Sequence, residues 1–231
     1  MNPKEVYMRS FTASLWLAVI LIFLASAPPA QATIVTTYTQ PDAGYITVTT
    51  LIPVIQAEYS DVVSETDGAV TATFSKKLNV RDTGSGWATW NSPPYVESST
   101  PKVLFTNGVS SLNIAFSAAL YLFGIEVQPD SFDVTDVTIE YYFDALLLGS
   151  ITRSINGDSG ALLLAGYLDT PFNNVQVYTA NEDDFAIAKL RYSQTQPEGF
   201  DPVPEPSTFL LVAATFVLVA FGYFCKKLWK L

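Results

Sequence analysis

Nucleophilic catalysis is the first chemistry to consider, because residues 157–160 read Gly-Asp-Ser-Gly, a tetrapeptide that can present a reactive serine. A serine nucleophile needs a neighbouring base, and the commonest base, His, is absent from this chain of 231 residues. The tetrapeptide also lies between two apolar segments of strand character. We therefore predict that it forms a hairpin turn and not a catalytic elbow.

Paired carboxylates are a second candidate chemistry, since two Asp or Glu side chains at a suitable separation can hydrolyse a glycosidic bond. Glu126, Glu140 and Asp144 lie on or beside predicted strands. Nothing in the sequence brings two of them face to face. We expect a non-catalytic protein, and a carboxylate-based carbohydrate-active enzyme tethered at the cell envelope is the rival hypothesis.

An acidic loop at residues 181–184 reads Asn-Glu-Asp-Asp and offers oxygen ligands of the kind that Ca²⁺ prefers. Asp183 and Asp184 are the candidate ligands, and a solvated acidic turn is the alternative because the spacing of an EF-hand is missing. With no His, and with Cys225 near the end of the chain, no zinc site of Cys and His is expected. We expect no cofactor other than this candidate Ca²⁺.

Aromatic side chains are concentrated in a long segment rich in Gly, Pro and Ser, residues 83–101. Trp87, Trp90 and Tyr95 lie within it, and aromatic rings on exposed loops can stack on sugar rings. These three residues are the predicted glycan contacts. The alternative is that the rings pack beneath the loop as a small satellite core.

The charge of the chain excludes one class of partner. There are 22 acidic residues against 12 basic ones, and the basic residues are enriched at the two ends. Nucleic acid requires a basic surface that neutralises phosphates, so no nucleic-acid partner is expected. An acidic central region is compatible with cations, with glycans, or with a surface that is acidic for solubility alone.

The N-terminus has the three parts of a signal peptide. A basic start is followed by an apolar run at residues 11–27, and Ala30 and Ala32 supply the small residues of an A-x-A cleavage site. We predict that residues 1–32 form a signal helix, are recognised by the Sec export machinery and are removed. The alternative is a transmembrane anchor that is retained.

The C-terminus has a different tripartite pattern. A Pro-rich linker, residues 196–208, is followed by an uncharged apolar run at residues 209–225, which is about long enough to cross a bilayer as a helix. Residues 226–231 form a basic tail that is predicted to stay in the cytoplasm. The cations of that tail are Lys226, Lys227 and Lys230.

This order of features resembles the PEP-CTERM sorting signal of Gram-negative bacteria that make exopolysaccharide. The matching stretch, residues 203–208, reads Val-Pro-Glu-Pro-Ser-Thr, and it precedes the short apolar run and the basic end. The resemblance implies that Pro204, Glu205 and Pro206 are the triplet recognised by an exosortase, a membrane transpeptidase. The basic cluster departs from the family in having Lys where Arg is more usual.

The resemblance implies a destination as well. The precursor would be anchored transiently in the inner membrane, and the product would reach the cell surface or an extracellular matrix, with exopolysaccharide as a candidate partner. An ordinary tail anchor that is never processed is the remaining alternative.

The central region, residues 33–195, has the pattern of an all-β domain. Short segments rich in β-branched and aromatic residues alternate with turn residues, and no long segment has helical periodicity. This spacing predicts a jelly-roll-like two-sheet β-sandwich between the signal helix and the transmembrane helix. The predicted strands are 34–38, 45–50, 69–74, 103–105, 111–116, 121–127, 137–143, 146–154, 161–167, 175–179 and 185–192, with a turn at 171–174 among those between them.

The second half of this region also resembles ectodomains that precede PEP-CTERM tails. The matching order is Phe-Gly-Ile at residues 123–125, Gly-Tyr-Leu-Asp-Thr-Pro-Phe at 166–172 and Asp-Phe-Ala-Ile at 184–187. The resemblance implies a sandwich like that of lectins or carbohydrate-binding modules. Ala188 and Lys189 stand where such relatives often have polar residues, so any metal site shared with them is in doubt.

Overall fold

A computed structural model describes residues 34–181 and 183–196. The predicted signal peptide with Ala30 and Ala32, the Pro-Glu-Pro triplet, the apolar run 209–225 and the lysine tail all lie outside these residues. The strands are β1 (Ile34–Tyr38), β2 (Thr50–Ile52), β3 (Asp61–Thr66), β4 (Thr71–Asp82), β5 (Lys102–Phe105), β6 (Ser111–Pro129), β7 (Val134–Phe143), β8 (Leu146–Asn156), β9 (Leu162–Thr179) and β10 (Phe185–Ser193), with one helix, α1 (Ala43–Val48), and a short 3₁₀ helix at Gly157–Ser159.

The strand pairs within the described residues are all antiparallel. Hydrogen bonds link the strands in the order β2-β10-β5-β4-β6-β9-β7-β8, with β1 beside β9, β3 beside β4 and β10 also beside β6. This observation confirms the predicted all-β class. None of the described helices is long and apolar enough to cross a membrane.

Two long strands, β6 and β9, each take part in two layers. The first half of β6 pairs with β4 and its second half with β10, while β9 pairs with β1 near its start and with β7 near its end. The front layer is therefore β3-β4-β6-β9-β7-β8. The back layer contains β1 and β10 beside the other halves of β6 and β9, as in the predicted β-sandwich; the finer jelly-roll assignment stays a prediction.

The hydrophobic core lies between these layers. On β6, Leu112, Ile114 and Phe116 are buried while Asn113 and Ala115 between them are exposed, which is the alternation expected of a sheet with one covered face. The same cluster includes Ile125 from the second half of β6. Complete burial of such a side chain contributes about 1.5–3 kcal/mol.

The predicted hairpin at residues 157–160 is wrong in one respect. The segment is a turn, but β8 pairs with β7 while β9 pairs with β7, β6 and β1, so the turn carries the chain between strands that are not partners. A Cβ atom on Gly157 would lie 1.8 Å from the carbonyl oxygen of Ser131, and Gly160 has a φ of +97°. This close approach between backbones makes the segment a tight crossover.

The strand predicted at residues 45–50 is also wrong, because residues 43–48 form α1. The Asp42 side chain accepts a hydrogen bond of 2.9 Å from the backbone N–H of Tyr45 and caps the helix. Tyr45 is fully buried against Leu122, Leu163 and Ala165 of the back layer. The cap and this packing outweigh the strand propensity of Tyr, Ile, Thr and Val.

Candidate functional site

The loop 83–101 covers part of the outer face of the back layer. Trp87 is only 7% exposed and packs with Val103, Ala186 and Ala188 in a satellite core. Its indole N–H donates a 2.9 Å hydrogen bond to Oε1 of Gln128. Trp87 is therefore almost entirely buried in a small satellite core, which was the alternative hypothesis for this loop.

The other two predicted glycan contacts differ in exposure. Trp90 is half-buried, and its indole N–H donates a 3.1 Å hydrogen bond to Oε2 of Glu126. Tyr95 is 48% exposed. The three rings consequently do not form one exposed aromatic platform, and Tyr95 is the most exposed of them.

Glu126 is a fully buried carboxyl group beneath this loop. Besides the Trp90 bond, its Oε1 accepts a 2.5 Å hydrogen bond from the backbone N–H of Glu97. Burial raises the pKa of Glu126 from 4.5 to about 7, although both hydrogen bonds act to lower that pKa. The Glu97 carboxylate raises the pKa further, and the Lys189 ammonium lowers it.

Glu97 ties the loop to β10. Its two carboxylate oxygens accept hydrogen bonds of 2.5 and 3.0 Å from Nε and Nη2 of Arg191, and Lys189 lies 3.9 Å away. This bidentate ion pair fixes the relative orientation of the two side chains as well as their distance. Trp90, Glu97, Glu126 and Arg191 together form what we call the loop anchor.

The outer face of the front layer has a different character. Across neighbouring strands, Asn113 is the register partner of Gln176, and Gln176 that of Glu140. One row along, Ala115 and Tyr142 flank Asn174. These outward positions carry amides, hydroxyls and one carboxylate, so the face is polar while its inner side is apolar.

A groove of about 580 Å³ crosses this face, and we call it the polar groove. It is bounded at one end by the turn between β7 and β8. The residues that line it are Thr73, Phe74, Ser75, Asn113, Ala115, Phe116, Tyr142, Asp144, Ala145, Asn173, Asn174 and Gln176.

Glu140 organises the rim of the polar groove. Its carboxylate accepts hydrogen bonds of 2.5 Å from the Tyr142 hydroxyl and 3.1 Å from the Tyr178 hydroxyl. The bond to Glu140 raises the pKa of Tyr142 to about 12, with burial and the nearby charge contributing less. Both hydroxyls therefore donate to Glu140 and hold the tyrosine rings in place at neutral pH.

Amide groups supply the remaining polar surface. The Asn174 side chain donates to the carbonyl oxygen of Asp144 at 3.1 Å, and Gln176 donates to the Ser111 hydroxyl at 2.9 Å. Asn113 is exposed, and within the part of the chain that the structure describes its side chain has no hydrogen-bond partner. The groove thus has both fixed and free donors and acceptors.

Of the three carboxylates considered for catalysis, Asp144 lines the polar groove near Glu140, whereas Glu126 and Glu140 belong to different faces. Glu126 is on the half of β6 that pairs with β10, under the loop anchor. Glu140 is on β7, on the outer face of the front layer. A glycosidase needs its two carboxyl groups on either side of one bond, about 5–10 Å apart, and this pair does not flank a common cleft.

Residues of the acidic loop 181–184 accept hydrogen bonds from neighbouring parts of the protein. Oδ2 of Asp184 accepts a 2.6 Å hydrogen bond from the backbone N–H of Gly108, and the Asp183 carbonyl accepts one of 2.6 Å from Thr179. Burial, followed by the charges of Asp184 and Asp183, raises the pKa of Asp130. Across residues 34–181 and 183–196, no cluster of three or more acidic, His or Cys residues could hold a metal ion.

The polar groove was not predicted from the sequence. The available signal was the presence of amides at the outward positions of strands, Asn113 on β6 and Asn174 and Gln176 on β9. That signal becomes informative only when the strand order is known, because the two segments are about sixty residues apart and meet through long-range pairing.

Comparison with known proteins gives distant structural similarities. No protein-family model matches the chain, and no curated protein does. A family 29 carbohydrate-binding module aligns over 67% of this chain and 99% of its own, with 11% identity and a TM-score of 0.33. A family 11 carbohydrate-binding module from Clostridium thermocellum aligns over 65% and 98%, with 8% identity and a TM-score of 0.27.

A bacteriophage tailspike protein gives a third similarity. The alignment with its enzymatically active domain covers 55% of this chain and 20% of that one, with 14% identity and a TM-score of 0.29. At this distance none of the three similarities assigns a function.

Proposed function

We propose that this chain is an exported, non-catalytic protein of the cell surface or extracellular matrix, and that its β-domain binds glycans in the polar groove. The observation that carries the binding part is the groove itself, which presents amides, hydroxyls and the ring of Tyr142 on one face.

The chemistry of the polar groove suits sugars for a simple reason. Each sugar hydroxyl both donates and accepts hydrogen bonds. The side-chain amides of Asn113 and Gln176 also do both, through their NH₂ and carbonyl groups. The C–H face of a sugar ring can pack on the half-buried ring of Tyr142, which the Glu140 hydrogen bond holds in place. The combination of a few fixed polar groups with apolar surface is typical of ligand sites.

A non-catalytic role is supported by the separation of Glu126 from Glu140, and Glu140 with Asp144 at the polar groove is the remaining carboxylate pair to test. Glu126 is fully buried beneath the loop anchor, and Glu140 lies on the other layer with its oxygens held by two tyrosines. A screen for hydrolysis of the polysaccharides that the protein binds tests this part. Turnover that disappears in the Glu140→Gln variant would establish the enzyme hypothesis instead.

Export and sorting are supported by the sequence of the two ends. The A-x-A site at Ala30 and Ala32 marks where a signal peptide would be cut, and residues 203–208 with the apolar run after them have the order of a PEP-CTERM tail. The final product would then carry the β-domain without either terminal helix.

Substitutions in the polar groove test glycan binding. Asn113→Ala and Gln176→Ala, combined, are expected to weaken binding at least tenfold, since each amide supplies hydrogen bonds of about 1 kcal/mol. The measurement is affinity electrophoresis or calorimetry with the polysaccharides that score highest on a glycan array.

The matched control is Tyr95→Ala, which changes the exposed ring of the loop and leaves the groove intact. We expect its affinity to equal that of the wild type. Loss of binding in Tyr95→Ala, with full binding in the groove variant, would show that glycans bind at the loop 83–101, as the sequence predicted, and not in the polar groove.

Replacement of Pro204, Glu205 and Pro206 by alanine tests the sorting role. We expect the variant to accumulate in the inner membrane with its β-domain in the periplasm, because the transpeptidase no longer recognises it. Cell fractionation and mass spectrometry of the C-terminus measure this outcome, and substitution of Pro202 and Val203 by alanine is the control. Delivery of the triplet variant to the surface would contradict the role, and residues 209–231 kept in the mature wild type would indicate a permanent anchor.

A further inference from the structure

The charges around the polar groove identify a class of ligand, an inference that rests on the proposed function and makes it more specific. Glu140 lies on the rim, Asp144 lines the groove, and Asp136 occupies the same face of β7 four residues before Glu140. One carboxylate, Asp144, therefore lines the space that a bound sugar would occupy, a second, Glu140, lies at its edge beside Tyr142 and Gln176, and Asp136 lies farther along the same face.

Compensating cations are missing from the lining. None of the twelve lining residues is Lys or Arg. Lys76 follows Ser75 on β4 but does not line the groove, and Lys77 is paired with Asp61 at 2.7 Å. Arg153 donates to the carbonyl oxygens of Thr39 and Leu163, which lie on the other side of the strand.

The two carboxylates at the groove have fixed hydrogen-bond partners. Glu140 accepts from two tyrosine hydroxyls, and Asp144 accepts a 2.7 Å hydrogen bond from the side chain of Asn173. A ligand carboxylate or sulfate in the groove would consequently meet like charges at short range, with no cation in the lining to offset them.

We propose that the polar groove selects glycans without acidic groups and rejects uronate-containing and sulfated glycans. Uncharged hydroxyls can accept from Asn113 and donate to Glu140, whereas a uronate carboxylate can only accept. The groove crosses four neighbouring strands that are about 4.8 Å apart, a span of about 14 Å, so it accommodates a short run of sugar units and not a single ring.

Matched pairs of polymers provide the test. The full-length protein is titrated with neutral glucan, galactan and mannan, and with the same polymers after oxidation of the C6 hydroxymethyl group to a carboxylate. We expect the best neutral polymer to bind at least tenfold more tightly than its oxidised form. Its affinity is also expected to change less than about twofold between low and high salt, since no charge pair holds it.

The double variant Glu140→Gln and Asp144→Asn links the discrimination to the groove. These isosteric changes remove two charges, and the gap between the neutral and oxidised polymers is expected to shrink by at least threefold, with circular dichroism confirming the fold. An oxidised polymer that binds the wild type more tightly, or a gap that the variant leaves unchanged, would overturn the inference and leave glycan binding standing. Binding of neither form would contradict the proposed function itself.

Discussion

Replacement of Phe172 by alanine is expected to lower the free energy of unfolding by about 4 kcal/mol. Phe172 is fully buried and is the register partner of Leu120, between the half of β9 that belongs to the back layer and the half that belongs to the front layer. Its ring makes edge contacts with Tyr141 at 5.1 Å and Phe116 at 6.2 Å. Removal of the ring leaves a cavity where both layers meet, and neither can move in to fill it.

The same substitution at Phe132 is the matched control, because that ring is 66% exposed. We expect a change within about 0.5 kcal/mol there, as is usual for surface positions. Urea unfolding of both variants, followed by intrinsic fluorescence, gives the two values. Similar losses at Phe132 and Phe172 would mean that the junction of the layers is not the tightly packed point described above.

The prediction of strands from the sequence succeeded where alternation was clear and failed where strands cross between layers. Residues 111–116 and 121–127 were predicted as two strands and form one, β6, and residues 161–167 and 175–179 likewise merge into β9. The turn predicted at residues 171–174 is wrong, because the chain continues through it as strand. Pro and Asn favour turns locally, but pairing with β6 and β7 on either side carries the strand across.

The candidate site illustrates the same limit. The aromatic loop was identified from its composition, but whether its rings face solvent depends on partners far along the chain: Gln128 for Trp87 and Glu126 for Trp90. The available sequence signal was a Glu and a Gln, residues 126 and 128, on an otherwise apolar segment, because polar side chains that become buried there need polar partners. The alternation of polar and apolar residues does not predict that the loop 83–101 supplies those partners.

The buried Glu126 is expected to make the stability of the protein depend on pH in an unusual direction. Its pKa is about 7 in the folded protein, against 4.5 for an ordinary Glu. Between these values the folded state holds the proton more tightly than the unfolded chain does. The stabilisation is therefore complete below pH 4.5 and is lost as the pH rises to about 7, a change of about 3 kcal/mol.

Glu126→Gln isolates this contribution, because other carboxyl groups such as Glu65 and Asp67 also titrate differently on folding. We expect the wild type to lose about 3 kcal/mol more than the variant between pH 4.5 and pH 8, measured by urea unfolding across that range. Parallel curves for the two proteins would show that Glu126 stays ionised beneath the loop, held by the backbone N–H of Glu97.

Trp90→Phe changes the pKa of Glu126 without removing its carboxyl group. The indole N–H lowers the pKa of Glu126, so its removal is expected to raise that pKa and extend the loss of stability to higher pH. Glu97 and Lys189, whose charges act on the pKa of Glu126, and Arg191, which pairs with Glu97, are unchanged in this variant. Loss of the larger ring lowers stability at every pH. The quantity to compare between the two proteins is therefore the pH range over which stability falls, and not the absolute free energy of unfolding.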